Sequence, residues 1–82
     1  MNGFYYVYFL RSVSSPDCHY VGFTEDLQKR LHTHNSGHVP HTSKFTPWTV
    51  KSATAFRDRD RALAFERYLK TASGRAFSRK RL

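Results

Sequence analysis

The run Phe4-Tyr5-Tyr6-Val7-Tyr8-Phe9-Leu10 constrains the fold of this chain more than any other feature. Seven successive aromatic, β-branched or aliphatic side chains suit a pleated strand, whose residues alternate between two faces. Both faces of such a strand need cover, which places it inside a sheet with layers on either side. The breaker group Ser14-Ser15-Pro16-Asp17 turns the chain, and His19-Tyr20-Val21-Gly22-Phe23 reads as a second strand returning antiparallel to the first. In an even-sum register Tyr8 and Tyr20 lie on the same face of this hairpin, where their hydroxyls converge.

A helix is expected next, over Glu25 to His34, with Thr24 as its N-cap, two carboxylates in its first turn and Asn35-Ser36-Gly37 as its stop. Leu27, Arg30, Leu31 and His34 fall at i, i+3, i+4 and i+7, so a cation and an imidazole share the side of two core leucines. His38 to Pro47 is polar and turn-rich, a loop with room for one short helical turn. Trp48 to Phe56 reads as a third strand, with Val50, Ser52 and Thr54 on one face and Lys51, Ala53 and Ala55 on the other. Asp58 or Asp60 caps a second helix running to about Thr71, with Ala62, Phe65, Glu66 and Leu69 on one side. Ser73-Gly74 is expected to break it, leaving a last short helix from Arg75 to Leu82 with Ala76, Phe77 and Leu82 inward. The element order is β-β-α-β-α-α, an α/β (α+β) fold with a small three-stranded antiparallel sheet flanked by helices.

Eighty-two residues are enough for one domain, spanning residues 1–82, and too few for two. Aromatics make up 16% of the chain, which supplies the core without staples, and the single Cys18 excludes an internal disulfide and a cysteine-based zinc site. Met1-Asn2-Gly3-Phe4 lacks the charged start of a secretory signal, and no apolar run reaches membrane-spanning length, so a soluble cytoplasmic protein is expected. Fourteen Lys and Arg against six Asp and Glu give a net charge of +8, and the pI is about 10.2. A polyanion is then the expected partner, DNA or RNA, against the plainer reading of a basic surface kept for solubility. Arg75, Arg79, Lys80 and Arg81 would neutralise phosphates without reading sequence.

Glu66 on an apolar helix face must be paired with a cation, protonated or bound to a metal, because a buried carboxylate is costly alone. An ion pair with Arg30 and a metal site are both open. A tyrosine serves as a base on water only if neighbouring positive charge lowers its pKa, and Arg30 and a metal at Glu66 would both do so. Of the five histidines, His32, His34, His38 and His41 skip between helix faces and run into an irregular loop, a spacing that argues against zinc. His34, one turn after Arg30, is placed to hold a tyrosine hydroxyl or reach the same phosphate, its plainer role being that of a helix-end histidine.

Tyr6-Val7-Tyr8, Tyr20-Val21-Gly22, Arg30, His34, Asn35-Ser36-Gly37 and Glu66, in that order, resemble the GIY-YIG nuclease family over nearly the whole chain. The likeness is greatest to small stand-alone members, related to the N-terminal nuclease domain of the DNA-repair excinuclease. It implies a three-stranded antiparallel sheet flanked by helices and a metal-dependent endonuclease acting on DNA. It further implies one divalent ion, Mg²⁺ or Mn²⁺, held by Glu66, with Arg30 stabilising the phosphate. Tyr8 and Tyr20 would orient or deprotonate the attacking water, assisted by His34. Two positions depart from the pattern: Tyr6 replaces the first glycine, and Phe23 stands where some members carry a lysine. The chain has no room for a separate DNA-recognition domain, so action on DNA structure or delivery by a protein partner is expected. The alternative is a non-catalytic nucleic-acid-binding module on the same scaffold.

Overall fold

The computed structural model describes residues 3–82; Met1 and Asn2, which begin the segment read as lacking a signal, lie outside the described residues. The order β-β-α-β-α-α is observed, with a single 3-10 turn at Ser43–Phe45 in the loop before the third strand. Strands β1 (Tyr5–Ser12), β2 (His19–Thr24) and β3 (Trp48–Phe56) form one antiparallel sheet in the order β2-β1-β3. The aromatic run is thus the central strand, and Val7, Tyr8, Phe9 and Leu10 are all buried. No helix among the described residues is long and apolar enough to cross a membrane.

The two faces of the sheet carry different layers. Val7 and Phe9 meet Ala62 and Leu69 of α2 (Arg59–Leu69), an apolar cluster widened by Phe56 and Phe65. Tyr8, Leu10 and Trp48 form the other cluster, against Leu27 and Leu31 of α1 (Leu27–Asn35). Leu27, Arg30, Leu31 and His34 are the inward face of α1, as their spacing requires. Its start differs from expectation. Asp26, not Thr24, is the N-cap and accepts from Lys29 N at 3.0 Å, while Thr24 accepts from Asp26 N at 3.1 Å in the preceding turn. A carboxylate held nearer the helix takes the cap, and Glu25 and Asp26 stay outside the first turn.

β3 departs from simple alternation. Phe9 pairs with Ser52 but Leu10 pairs with Val50, so Lys51 is an extra residue in the ladder. This bulge turns Val50 to the α1 side with Trp48, while Ser52 and Thr54 remain on the α2 side. The expected grouping of Val50 with Ser52 and Thr54 is therefore corrected.

Asp58 caps α2, accepting from Asp60 N at 2.8 Å and Arg61 N at 3.3 Å. The helix ends at Leu69, and the break lies at Lys70-Thr71 rather than at Ser73-Gly74. Thr71 caps α3 (Ala72–Arg81) by accepting from Gly74 N at 3.1 Å. Gly74 is there for close packing: a Cβ would run into the Tyr68 carbonyl and the Leu69 backbone. Gly74, Ser78 and the half-buried Leu82 form the inward line of α3. Ala76 and Phe77, expected inside, are exposed, Phe77 lying at the rim beside Phe65 and Tyr68.

Candidate active site

Antiparallel pairing of Tyr8 with Gly22 and of Leu10 with Tyr20 sets both tyrosines on the α1 face. Their rings lie 6.3 Å apart, and the Tyr20 ring is 4.8 Å from that of His34. Gly22 makes this possible. A Cβ at position 22 would overlap the Tyr8 hydroxyl and ring, so the tyrosine crosses β2 only where the strand has no side chain.

Helix α1 delivers Arg30 and His34 one turn apart to the same hydroxyl. Arg30 Nε donates to it at 3.2 Å, and His34 Nε2 lies 3.0 Å from it. The other imidazole nitrogen, Nδ1, is 2.9 Å from Thr42 Oγ1, which lies 3.3 Å from the Val39 carbonyl. One proton arrangement satisfies the whole chain. Arginine only donates, so the buried Tyr8 hydroxyl gives its proton to His34 Nε2; Nδ1–H then donates to Thr42, whose hydroxyl donates to Val39 O. The reverse tautomer leaves the Tyr8 proton without an acceptor among these partners, whereas the Val39 carbonyl is satisfied in either case by Thr42 N at 3.1 Å and Ser43 N at 3.0 Å.

The electrostatics agree with that assignment. Burial, followed by the Arg30 cation, lowers the pKa of His34 below the usual imidazole value and keeps the ring neutral. Burial raises the pKa of Tyr8, and the hydrogen bond and charge of Arg30 only partly offset it. Of the two positive charges expected to lower the pKa of Tyr8, Arg30 by itself does not do so, and with Arg30 alone Tyr8 stays a phenol hydrogen-bonded to His34. The Tyr8 hydrogen bond raises the pKa of Arg30 against the effect of burial, so Arg30 remains a cation.

Glu66 is half-buried on α2, with its side chain 18% exposed. Its partner is Lys70, at 3.2 Å from Oε2, and not Arg30. Its charge nevertheless acts on Tyr8, raising that pKa, so the carboxylate lies within electrostatic range of the tyrosine. Among the described residues no group of three or more His, Cys, Asp or Glu could hold a metal. A single hard carboxylate, held by one exposed lysine, suits an ion that keeps most of its waters and takes phosphate oxygens as further ligands, the habit of Mg²⁺.

The structure thus joins Tyr8, Tyr20, Arg30 and His34 in one cluster and leaves Glu66 near it on a separate helix. The basic residues of α3 divide: Arg75 and Arg79 line a cleft on the α2 side of the sheet, whereas Lys80 and Arg81 do not. Phe23 stacks on Tyr5 on that same α2 side, so the missing lysine does not face the Tyr8 hydroxyl. Tyr6 shares the Tyr8 face and lines a second cleft with Glu25 and Leu27.

Two positioning residues escaped the sequence reading. Thr42 is buried, and its carbonyl accepts from Trp48 Nε1 at 2.9 Å. Asn35, read only as part of a helix stop, clamps the start of β3: its Oδ1 accepts from Trp48 N at 2.6 Å and its Nδ2 donates to Trp48 O at 3.0 Å. No local pattern marks Thr42. The signal for Asn35 was a polar residue at the helix end with a large aromatic beginning the next strand.

No curated protein matches the chain closely enough to serve as a relative. A family model, described as the GIY-YIG catalytic domain, matches residues 4–81 and supports a nuclease-type function, for which DNA is the substrate class indicated and a divalent metal the general requirement. With the expected sheet, the paired tyrosines and a match over essentially its whole length, the chain belongs to the GIY-YIG family.

Proposed function

We propose that the protein is a metal-dependent endonuclease that hydrolyses DNA phosphodiester bonds, directed by DNA structure rather than by sequence. The observation that carries this reading is the Tyr8 hydroxyl held between Arg30 Nε at 3.2 Å and His34 Nε2 at 3.0 Å beside Tyr20. Packing alone does not require a half-buried cation and a buried phenol and imidazole to converge on one oxygen.

Arg30 spends its Nε on Tyr8, and its terminal amino groups are the donors for the non-bridging phosphate oxygens. Tyr20, half-buried beside Tyr8, orients the attacking water. As that water attacks phosphorus, its proton passes to the Tyr8 oxygen while the phenol proton moves to His34 Nε2, so no free phenolate has to build up. Thr42 holds His34 in the accepting tautomer. Glu66 is the metal ligand, and Mg²⁺ or Mn²⁺ bound there supplies Lewis-acid polarisation of the phosphate and neutralises charge on the departing oxygen. The basic residues Arg75, Arg79, Lys80 and Arg81 contact backbone phosphates, which carry little sequence information. We place the protein in the cytoplasm, with DNA repair as the setting, RNA as a possible competing ligand and a protein partner as a possible means of delivery.

The test is cleavage of supercoiled plasmid and of flapped or branched DNA with Mg²⁺ or Mn²⁺, beside EDTA and Glu66→Ala controls. Metal-dependent nicking lost in both controls is expected. Binding without any cleavage selects the non-catalytic module, and unfolding of Glu66→Ala makes Glu66 a structural ion-pair residue.

A further inference from the structure

We infer that the cleft on the α2 side of the sheet seats an unpaired DNA strand leading away from the Tyr8 cluster. The inference rests on the nuclease reading above and names the substrate feature it recognises. The cleft has a volume of about 610 Å³, within the range of single-ligand sites. Its walls carry Lys51, Lys70, Arg75 and Arg79, opposed by one carboxylate, Asp17. Its floor is apolar, formed by Phe9, Val21 and Leu69.

Three separate elements supply the cations. Lys51 is the bulge residue of β3, Lys70 caps the C-terminus of α2, and Arg75 and Arg79 stand one turn apart on α3. Their convergence on a concave surface differs from a basic face spread along one helix. Cations around an apolar floor match a nucleotide strand whose phosphates meet the walls and whose base lies on the floor. A duplex keeps its bases stacked inside and cannot offer one to that floor. Flapped and branched DNA can.

The cleft is connected to the reacting cluster at two points. Tyr20 lines it, while the Tyr20 ring lies 4.8 Å from that of His34. Lys70 lines it, and Lys70 Nζ is also the partner of Glu66, at 3.2 Å. A strand whose scissile phosphate is held by Arg30 therefore passes the edge of β2 into the cleft, where its next phosphates compete for Lys70.

The experiment is fluorescence anisotropy in EDTA, so that binding is read without cleavage. The probes are a short single-stranded oligodeoxynucleotide, the blunt duplex of the same length, and the single strand in RNA. Two double variants lose equal charge: Lys51→Gln with Arg79→Gln inside the cleft, and Lys29→Gln with Lys44→Gln, both exposed and outside it. Thermal melting of both confirms that they fold. Single-stranded DNA should bind the wild type more tightly than the blunt duplex. The cleft variant should lose about tenfold more affinity for it than the control variant, and its salt slope should fall by about 1.4, roughly 0.7 for each lost phosphate contact. Equal losses in the two variants overturn the cleft, as does a blunt duplex bound as tightly as the single strand, or RNA bound about tenfold tighter than DNA. Parallel plasmid nicking separates the two proposals. Selective loss of single-strand binding in a protein that cuts nothing keeps the cleft and removes the nuclease, whereas nicking with equal losses does the reverse.

Discussion

Val7 and Tyr8 are neighbours in sequence, equally buried, and face opposite sides of one sheet. Val7 is held by contact alone, among Phe9, Ala62 and Leu69. Tyr8 is held by direction: a donor at 3.2 Å, an acceptor at 3.0 Å, and a glycine that leaves room for its ring. Apolar packing depends on volume and tolerates change that conserves it. A buried hydrogen-bond chain depends on the identity and protonation of each member, because removing one leaves its partners unsatisfied. Both sides of this strand contribute to stability, the α2 side through packing alone, and the α1 side is also where chemistry is proposed.

That contrast is open to direct attack. The largest effect is expected for Tyr8→Phe, which leaves the His34 acceptor and Arg30 donor without their shared oxygen. Cleavage should fall by about 10²–10⁴-fold, the usual range for a proton-transfer group, and unfolding free energy by about 1–3 kcal/mol. Plasmid nicking and denaturant titration measure the two, and a fully active variant sinks the assigned role.

Gly22→Ala should come next. The added methyl drives Tyr8 off its partners, and a displacement of this kind costs about 10² in rate. Alanine is otherwise acceptable in a strand, so a well-folded but inactive variant isolates the crossing. Activity equal to wild type shows that Tyr8 has another route to the site.

Thr42→Val tests positioning. It should slow cleavage by about tenfold and cost about 1–3 kcal/mol through the unpaired Nδ1–H, with both restored by Thr42→Ser. Val7→Ala is the counterpart on the other face: a loss of about 1.5–3 kcal/mol in stability with turnover per folded molecule unchanged. A selective fall in its turnover removes the division between the two faces.

The smallest effect concerns pH. His34 has a folded pKa below its ordinary value of 6.5, so the unfolded chain takes up the proton first as pH falls. The stability tied to neutral His34 is complete above about pH 6.5 and declines below it until the folded pKa is passed. Melting temperatures at pH 7 and pH 5.5 should converge in His34→Gln relative to wild type. An unchanged pH dependence assigns it to other groups.

Much of this molecule is legible from the chain alone, for a simple reason. Periodicity is local, so the residues of β1 and α1 announce both their structure and their facing. The sequence by itself determined the element order, the burial of the first strand on both faces, the shared face of Tyr8 and Tyr20 once an even register is taken, and the inward line Leu27, Arg30, Leu31 and His34, while the central place of that strand came from the fold. Only the tertiary structure decided the remainder. Lys51 bulges because β3 must match β1 on both sides of Phe9 and Leu10. The break between α2 and α3 falls at Lys70-Thr71 because Gly74 is used for backbone approach to Tyr68 and Leu69. Glu66 takes Lys70 as its partner, one turn along its own helix. The protonation of Tyr8 was beyond reach in the same way: burial by β2 and α1 opposes the pull of Arg30, and Thr42, eight residues from His34, orients the ring that receives its proton. Each of these outcomes is a balance between groups far apart in sequence, and no local pattern records how close folding brings them.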